Sequence, residues 1–290
     1  MRIGYLACAE VLPGAVKRRP DAFEHDQEVA AIRPALEACG VDLVEIDWRL
    51  CDPTEFDLLW VRTTWDYVRR EAEFLAFLAR AQEATRVENS LEVIAWNLSK
   101  RYLRGLIDKG LPVIPSLFVE KATPLGEVFD ALGVDEIVLK PVIGAGGFGQ
   151  SRLHLKDLDP RAEMSAELFA QPLIPEICTF GEISMIFVDG EFSHALRKTP
   201  IAGEYRIQVI HGGKNQPYQP STGEIAIAKS FVDSLPAPAL ACRVDLVPHG
   251  EGLLLMELEA IEPHLFPEFG PDLGPLVAKA CLNRSLTSAA

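Results

Sequence analysis

The sequence has no excess of positive charge, no paired cysteine motif and no long apolar run, and each absence removes a class of protein. Its 28 Lys and Arg stand against 42 Asp and Glu, a formal net charge of −14. Proteins that neutralise a nucleic-acid backbone carry clustered basic residues, so a nucleic-acid partner is not expected. The six cysteines (Cys8, Cys39, Cys51, Cys178, Cys242, Cys281) are scattered, with neither CxxC nor Cys/His spacing for zinc, and read mostly as buried thiols. No apolar run approaches the roughly 18 residues of a membrane span. The opening Met1-Arg2-Ile3-Gly4-Tyr5-Leu6 reads as a strand rather than an export signal, so a reducing cytoplasm and no membrane partner are expected.

What is present describes a well-filled globular chain. At 290 residues and 48% hydrophobic content, with a mean hydropathy of +0.11, it is long enough for two or three lobes sharing a cleft. Apolar runs at residues 3–7, 42–46 and 58–61 alternate with helical patterns at 27–39 and 71–82, which predicts a parallel, doubly wound sheet. Ligands gather at the carboxyl ends of such strands. Arg62-Thr63-Thr64-Trp65-Asp66-Tyr67 follows one of them, with Arg62 as a candidate carboxylate clamp and Trp65 and Tyr67 as pocket walls. The same residues also suit a plain helix cap, with Thr64 or Asp66 as the capping side chain.

A second lobe is expected from Asn97, where Asn97 or Ser99 caps a helix through Leu106. The strand at 136–140 ends on Lys140 and leads into Gly144-Ala145-Gly146-Gly147-Phe148-Gly149, and the alternating Ser151-Arg152-Leu153-His154-Leu155 reads as another strand. A dinucleotide fingerprint must open a helix, and a Walker loop ends in Lys-Ser/Thr; neither context is present. The loop fits a hairpin flap over phosphates better, and a simple glycine-rich turn is its plain alternative. Further on, 183–188 and 191–198 flank Asp189-Gly190 as a hairpin, 205–210 reads as a strand, 221–233 as a helix, and 240–247 with 253–258 as a second strand pair.

In an extended strand Glu257 and Glu259 share a face, and Asp245 on a paired strand could join them. Three carboxylates at one spot suit magnesium, whose shell is completed by phosphate oxygens. A solvated strand face is the bland reading. Lys198, Arg206 and Arg243 are candidate catalytic cations, and Arg197 a candidate substrate-binding cation, since an acidic chain must compensate an anionic ligand locally. Gln171-Pro172-Leu173-Ile174 is either a rigid connector or a hinge whose backbone faces a base.

The order Lys100, Lys140, glycine loop, 171–174, Asp245, Glu257-Leu258-Glu259 resembles the ATP-grasp superfamily of carboxylate–amine and carboxylate–thiol ligases. The segments Thr63-Thr64-Trp65-Asp66-Tyr67, Trp96-Asn97-Leu98-Ser99-Lys100-Arg101-Tyr102-Leu103, Arg197-Lys198-Thr199-Pro200 and Glu257-Leu258-Glu259-Ala260-Ile261-Glu262-Pro263 are similar to a subgroup of cycloserine-forming O-ureido-serine cyclo-ligases, with glutathione synthetase more distant. The resemblance implies an α/β (α+β) ATP-grasp fold: a Rossmann-like domain over 1–96, a central lobe over 97–174 and a C-terminal lobe over 175–290, with ATP between the last two. It implies ATP and two magnesium ions as cofactors, manganese being an alternative metal. Lys100, Lys140, Gly144, Gly146, Gly147, Phe148 and Gly149 would hold phosphates. Gln171, Pro172, Leu173 and Ile174 would receive adenine, Glu182 or Glu176 the ribose, and Asp245, Glu257 and Glu259 the metal. Arg62, Trp65, Asp66, Tyr67 and Arg197 would line the substrate site. The expected reaction activates a small amino-acid-like acid as an acyl phosphate for attack by an amine. The alternatives are a glutathione-like peptide ligase and a non-catalytic ATP-binding protein. The family's usual Asn is Glu259 here, and relatives of this architecture are often homodimers, a point the sequence leaves open.

Overall fold

The structure, a computed structural model of the chain, describes residues 1–144, 149–201, 203–207 and 212–286. β1 (Arg2–Ala7), α1 (Ala22–Ala38), β2 (Asp42–Asp47), β3 (Leu58–Thr63), α2 (Glu71–Ala84) and β4 (Arg86–Glu88) build a parallel sheet of order β2-β1-β3-β4. Successive strand side chains take opposite faces. Ile3, Tyr5, Leu58 and Trp60 therefore join α1's Val29, Ile32 and Leu36, while Leu6, Leu59 and Val61 join α2's Phe74, Phe77 and Leu78. This is the doubly wound arrangement the alternation predicts.

α3 (Leu91–Leu98) and α4 (Tyr102–Asp108) lead into a second, antiparallel sheet: β5 (Leu117–Val119), α5 (Leu125–Leu132), β6 (Glu136–Pro141), β7 (Ser151–His154) and β8 (Leu168–Pro172), ordered β5-β8-β6-β7. The glycine loop joins β6 to its antiparallel partner β7, so a strand and not a helix follows it. Gly144 and Gly149 bound that loop, whereas Gly146, Gly147 and Phe148 lie outside the described residues.

The third sheet follows α6 (Glu176–Thr179). It contains β9 (Glu182–Val188), β10 (Glu191–Thr199), β11 (Lys214–Pro217), α7 (Thr222–Val232), β12 (Ala241–His249) and β13 (Gly252–Glu259), ordered β11-β10-β9-β12-β13 and antiparallel throughout. Asp189 (φ 51°) and Gly190 (φ 79°) make the turn that their pairing predicts. Tyr205 to Ile207 form no strand, and 208–210, with which the expected strand ends, lie outside the described residues.

Two helices make contacts beyond their own stretch of the chain. α4 places Tyr102, Leu103 and Leu106 in one core with Met185, Phe187 and Leu258 of the third sheet, which Phe169 of the second sheet also enters. α8 (Leu273–Leu286), not anticipated from the sequence, lies on α1, and its Leu273, Val277 and Cys281 complete the first core. The approach is close at Gly274, where a Cβ would fall 2.5 Å from the Ala31 carbonyl oxygen.

Asn97 does not cap a helix; it lies within α3, buried at 5% exposure. Its amide donates to Leu258 O (2.8 Å) and accepts from Ala260 N (2.8 Å), fixing α3 along the β13 edge. Asn97→Ala would strand two buried backbone groups, at roughly 1–3 kcal/mol each, and is expected to cost about 2–6 kcal/mol in urea denaturation.

Candidate active site

The face of the third sheet turned away from α4 and α7 carries its buried Glu182, Lys198, Arg243 and Asp245. Strand alternation sends Met185, Phe187, Val244 and Leu246 to the helices and Glu182, Ser184, Arg243 and Asp245 to the opposite side. Register does the rest: Lys198 lies opposite Glu182, Asp245 opposite both Ser184 and Glu257, and Arg243 opposite Glu259. The resulting network is dense. Lys198 Nζ reaches Glu182 (3.2 Å) and Asp245 (3.5 Å), and Arg243 clasps Asp245 through Nε (2.9 Å) and Nη2 (3.0 Å). Arg243 also pairs with Glu259, and Lys100 with Glu257. Ser184 donates to Asp245 (2.5 Å).

These contacts sort the carboxylates. Burial alone would raise Asp245, but Arg243 and Lys198 outweigh it and bring the group down to about 2. Burial, reinforced by Asp245, carries Glu182 up to about 7. Burial also raises Glu259 despite Arg243.

Beside this face a cleft opens between the second and third sheets, lined by Ile114, Val138, Lys140, Gln171, Pro172, Leu173, Ile174, Glu182, Arg206, Met256 and Glu257 among others. Its lining combines the apolar Ile114, Val138, Leu173, Ile174 and Met256 with the polar Lys140, Gln171, Glu182, Arg206 and Glu257, which suits a base carrying charged substituents. Lys140 Nζ donates to Gln171 Oε1 (2.7 Å), and Gln171 is itself held by Ser116 Oγ (2.9 Å). Burial lowers Lys140 to about 8. Arg206 lines the same cleft and pairs with Glu204 (2.6 Å), leaving its buried Nε without a partner.

The expected substrate residues fare differently. Arg62 is 1% exposed and fully engaged, with Nε and Nη2 on Glu28 (2.6 and 2.7 Å) and Nη2 on Pro263 O (2.5 Å). Its charge is spent on joining β3, α1 and the turn after β13, so it does not offer a free carboxylate clamp. Arg197 points to the opposite face of β10 from Lys198, stacking on Phe180 (5.0 Å) and reaching Gln216 (3.2 Å), away from the carboxylates. Tyr67 is buried against Phe74, and Asp66 accepts from Trp48 Nε1 (2.8 Å). Trp65 is half-buried beneath Arg19 (5.1 Å). Residues that sequence reasoning passed over are Ser184, Glu262 and Glu24. Ser184 is the one with a local signal, two positions from Glu182 on the same strand. Glu262, raised to about 8 by burial and Glu259, sits where Tyr67 and Lys100 sense it.

Comparison with known proteins fixes the family. Residues 3–89 match the profile described as "D-cycloserine synthetase DcsG, N-terminal domain", and 112–247 that of "Prokaryotic glutathione synthetase, ATP-grasp domain". The cycloserine biosynthesis protein DcsG of Streptomyces lavendulae is 30% identical over 276 residues, covering 87% of this chain and 92% of that protein. The chain belongs to the ATP-grasp ligase family. It is accordingly an ATP-dependent carboxylate–amine ligase. A glutathione synthetase of Bordetella parapertussis is 27% identical over 138 residues, 45% of this chain and 39% of that one. Among solved structures, D-cycloserine synthetase DcsG superposes with a TM-score of 0.81 at 24% identity, covering 98% of this chain and 100% of that one. D-alanine–D-alanine ligase of Bacillus anthracis superposes at 0.70 and 14%, covering 99% and 98%. Both share the fold.

ATP-grasp ligases use magnesium with ATP. The oxygen donors here suit that ion chemically, but the expected trio does not close around a point. Among the described residues no three such side chains are placed to hold a metal. Asp245 is 4% exposed and taken up by Arg243, Lys198 and Ser184, whereas Glu257, which lines the cleft, and Glu259 beside it on the same face of β13 retain 29% and 27% exposure. Magnesium takes one or two carboxylates and completes its shell with phosphate and water. Glu257 and Glu259 fit that role, and the ion would there neutralise phosphate charge.

Two tests follow. Phosphate binding favours charged Lys140, whose value near 8 means that the free protein loses this charge as pH rises through 8. ATP affinity should therefore fall above pH 8 with proton uptake on binding, both absent in Lys140→Met by titration calorimetry. Arg62→Met leaves Glu28 buried without its cation, held only by the Tyr5 hydroxyl (2.9 Å), and should cost about 3–5 kcal/mol in denaturation while ATP affinity is retained.

Proposed function

We propose that this ATP-grasp ligase phosphorylates the carboxylate of a small amino-acid-like acid and passes the acyl group to an amine-type nucleophile, in the favoured version one carried by the same molecule. The observation that carries this reading is the continuity of the cleft with the Lys198–Asp245–Arg243–Glu259 face: Lys140 lines the cleft, and Lys100 pairs with Glu257, which lines it too. The backbone of 171–174 receives adenine, Glu182 the ribose, and Lys100, Lys140 and loop 144–149 the phosphates. A carboxylate oxygen attacks the γ-phosphorus, the bond to the β-phosphate oxygen breaks, and ADP departs. The amine nitrogen then attacks the acyl carbon, phosphate leaves, and the amine gives up a proton. Arg243 and Lys198 stabilise negative charge on the acyl oxygens, and Arg206 covers the phosphates from the third-sheet side. Glu257 and Glu259 take magnesium. The ring-closing version is supported by the name cycloserine biosynthesis protein carried by the Streptomyces lavendulae relative and by the D-cycloserine synthetase profile that the first domain matches.

A coupled ADP-release assay with ATP and magnesium, run across small amino acids, amino-acid pairs and O-ureido-serine, tests it. ADP formed with one acid, and equal amounts of amide product, is the expected result. Glu257→Gln should lower kcat by roughly 100- to 1000-fold with an unchanged melting temperature. Normal turnover in that variant would sink the assignment.

A further inference from the structure

Glu24, on the first turn of α1, is a carboxylate without a cation. Its side chain is 26% exposed, and among the described residues no Lys or Arg bonds to it. Its neighbour is His264, whose Nδ1 stands 3.6 Å away, beyond hydrogen-bond reach. His264 Nε2 is buried and has no partner. Burial and the nearby charges of Arg243, Arg62 and Lys198 hold this imidazole well below the usual histidine range, so it is neutral. Burial, then Asp21, push Glu24 up to about 7, although Arg243 and Lys198 act on it in the opposite sense.

The pair stands at the cationic end of the polar face. The His264 ring leans on Phe266 (centroids 4.2 Å apart), and that ring carries Lys198 at 5.0 Å and Arg243 at 5.5 Å on it. Arg243 Nη1 also donates to the His264 carbonyl (3.2 Å). One side of the site thus offers cations for a carboxylate. The other offers a carboxylate to which, among the described residues, no cation bonds, and a neutral imidazole nitrogen, the complement of a primary ammonium, which brings one positive charge and three donors.

We propose that Glu24 and His264 receive the ammonium group of an α-amino acid whose carboxylate lies toward Lys198 and Arg243, so that the enzyme distinguishes amino acids from plain carboxylic acids. This rests on the ligase reading above and deepens it by naming what selects the substrate. A site built around a charged hydrogen-bonding group rejects the analogue lacking it strongly, because its own buried groups are then left unpaired.

The test compares O-ureido-serine with 3-(ureidooxy)propanoate, the same acid with hydrogen in place of the ammonium, by titration calorimetry with magnesium and a non-hydrolysable ATP analogue. The wild-type protein should prefer the amino acid by on the order of 100-fold, Glu24→Gln by less than about 3-fold, and Glu24→Asp should recover part of the preference. A purely structural role would weaken both ligands alike. Retention of the full preference in Glu24→Gln, or equal binding of both acids by the wild type, would overturn the proposal. ADP release by the same wild-type preparation reports on the ligase reading separately: turnover that continues with unaltered amino-acid preference in Glu24→Gln removes the subsite and leaves the ligase standing.

Discussion

Arg243 lies between Asp245 and Glu259 on adjacent strands, 7% exposed, and the active face is organised around it. Asp245, Glu182, Glu257 and Glu259 crowd one side of a sheet, an arrangement that like-charge repulsion and desolvation would make untenable without interleaved cations. Strand register places Lys198 and Arg243 among them, and Lys100 enters from outside the sheet. The guanidinium reaches beyond the sheet as well, since its contact with the His264 carbonyl fixes the turn after β13. The neighbouring Pro263 carbonyl is taken by Arg62, which is locked onto Glu28 of α1. Through that single turn the charge network of the third sheet is tied to the first.

Cohesion among the three sheets is correspondingly uneven. The first and third share an apolar core in which Ile3, Tyr5 and Trp60 lie with Ile186, Val188 and Leu196. The second sheet keeps a largely private core of Val128, Phe129, Ile137, Leu139 and Ala170. Separating first from third would expose shared apolar surface, whereas displacing the second leaves its own interior intact. The cleft therefore has one fixed wall, bearing the charges, and one wall that can yield to a nucleotide.

Much of this was legible in the chain because it is written in short-range pattern. Alternation between strands and helices announced the parallel sheet, Asp189-Gly190 its hairpin, and the two-residue spacing of Glu257 and Glu259 their common face. The same period-two rule, applied to Arg197 and Lys198, shows that adjacent residues cannot both face the carboxylates. What stayed hidden depends on partners distant in sequence. Nothing local to Arg62 reveals that Glu28 and Pro263 consume its charge, and nothing local to Asn97 reveals that β13 lies against it. A capping residue and a buried bridging amide have the same side chain; only the surroundings separate them. The metal trio is a like case: spacing gives the direction of Asp245 but not the two cations and the serine that bond it.

The packing of α8 on α1 bears on how the protein comes into being at the ribosome. The parallel sheet and its two helices are complete in sequence by residue 88, yet one face of that unit is closed by Leu265, Leu273, Val277 and Cys281, and by strand residues such as Leu196. During synthesis the first unit must wait, with a sticky flank uncovered, until nearly two hundred further residues have emerged. Its maturation is thus coupled to the arrival of the distal chain, and premature release would yield a fragment prone to self-association rather than a free-standing domain.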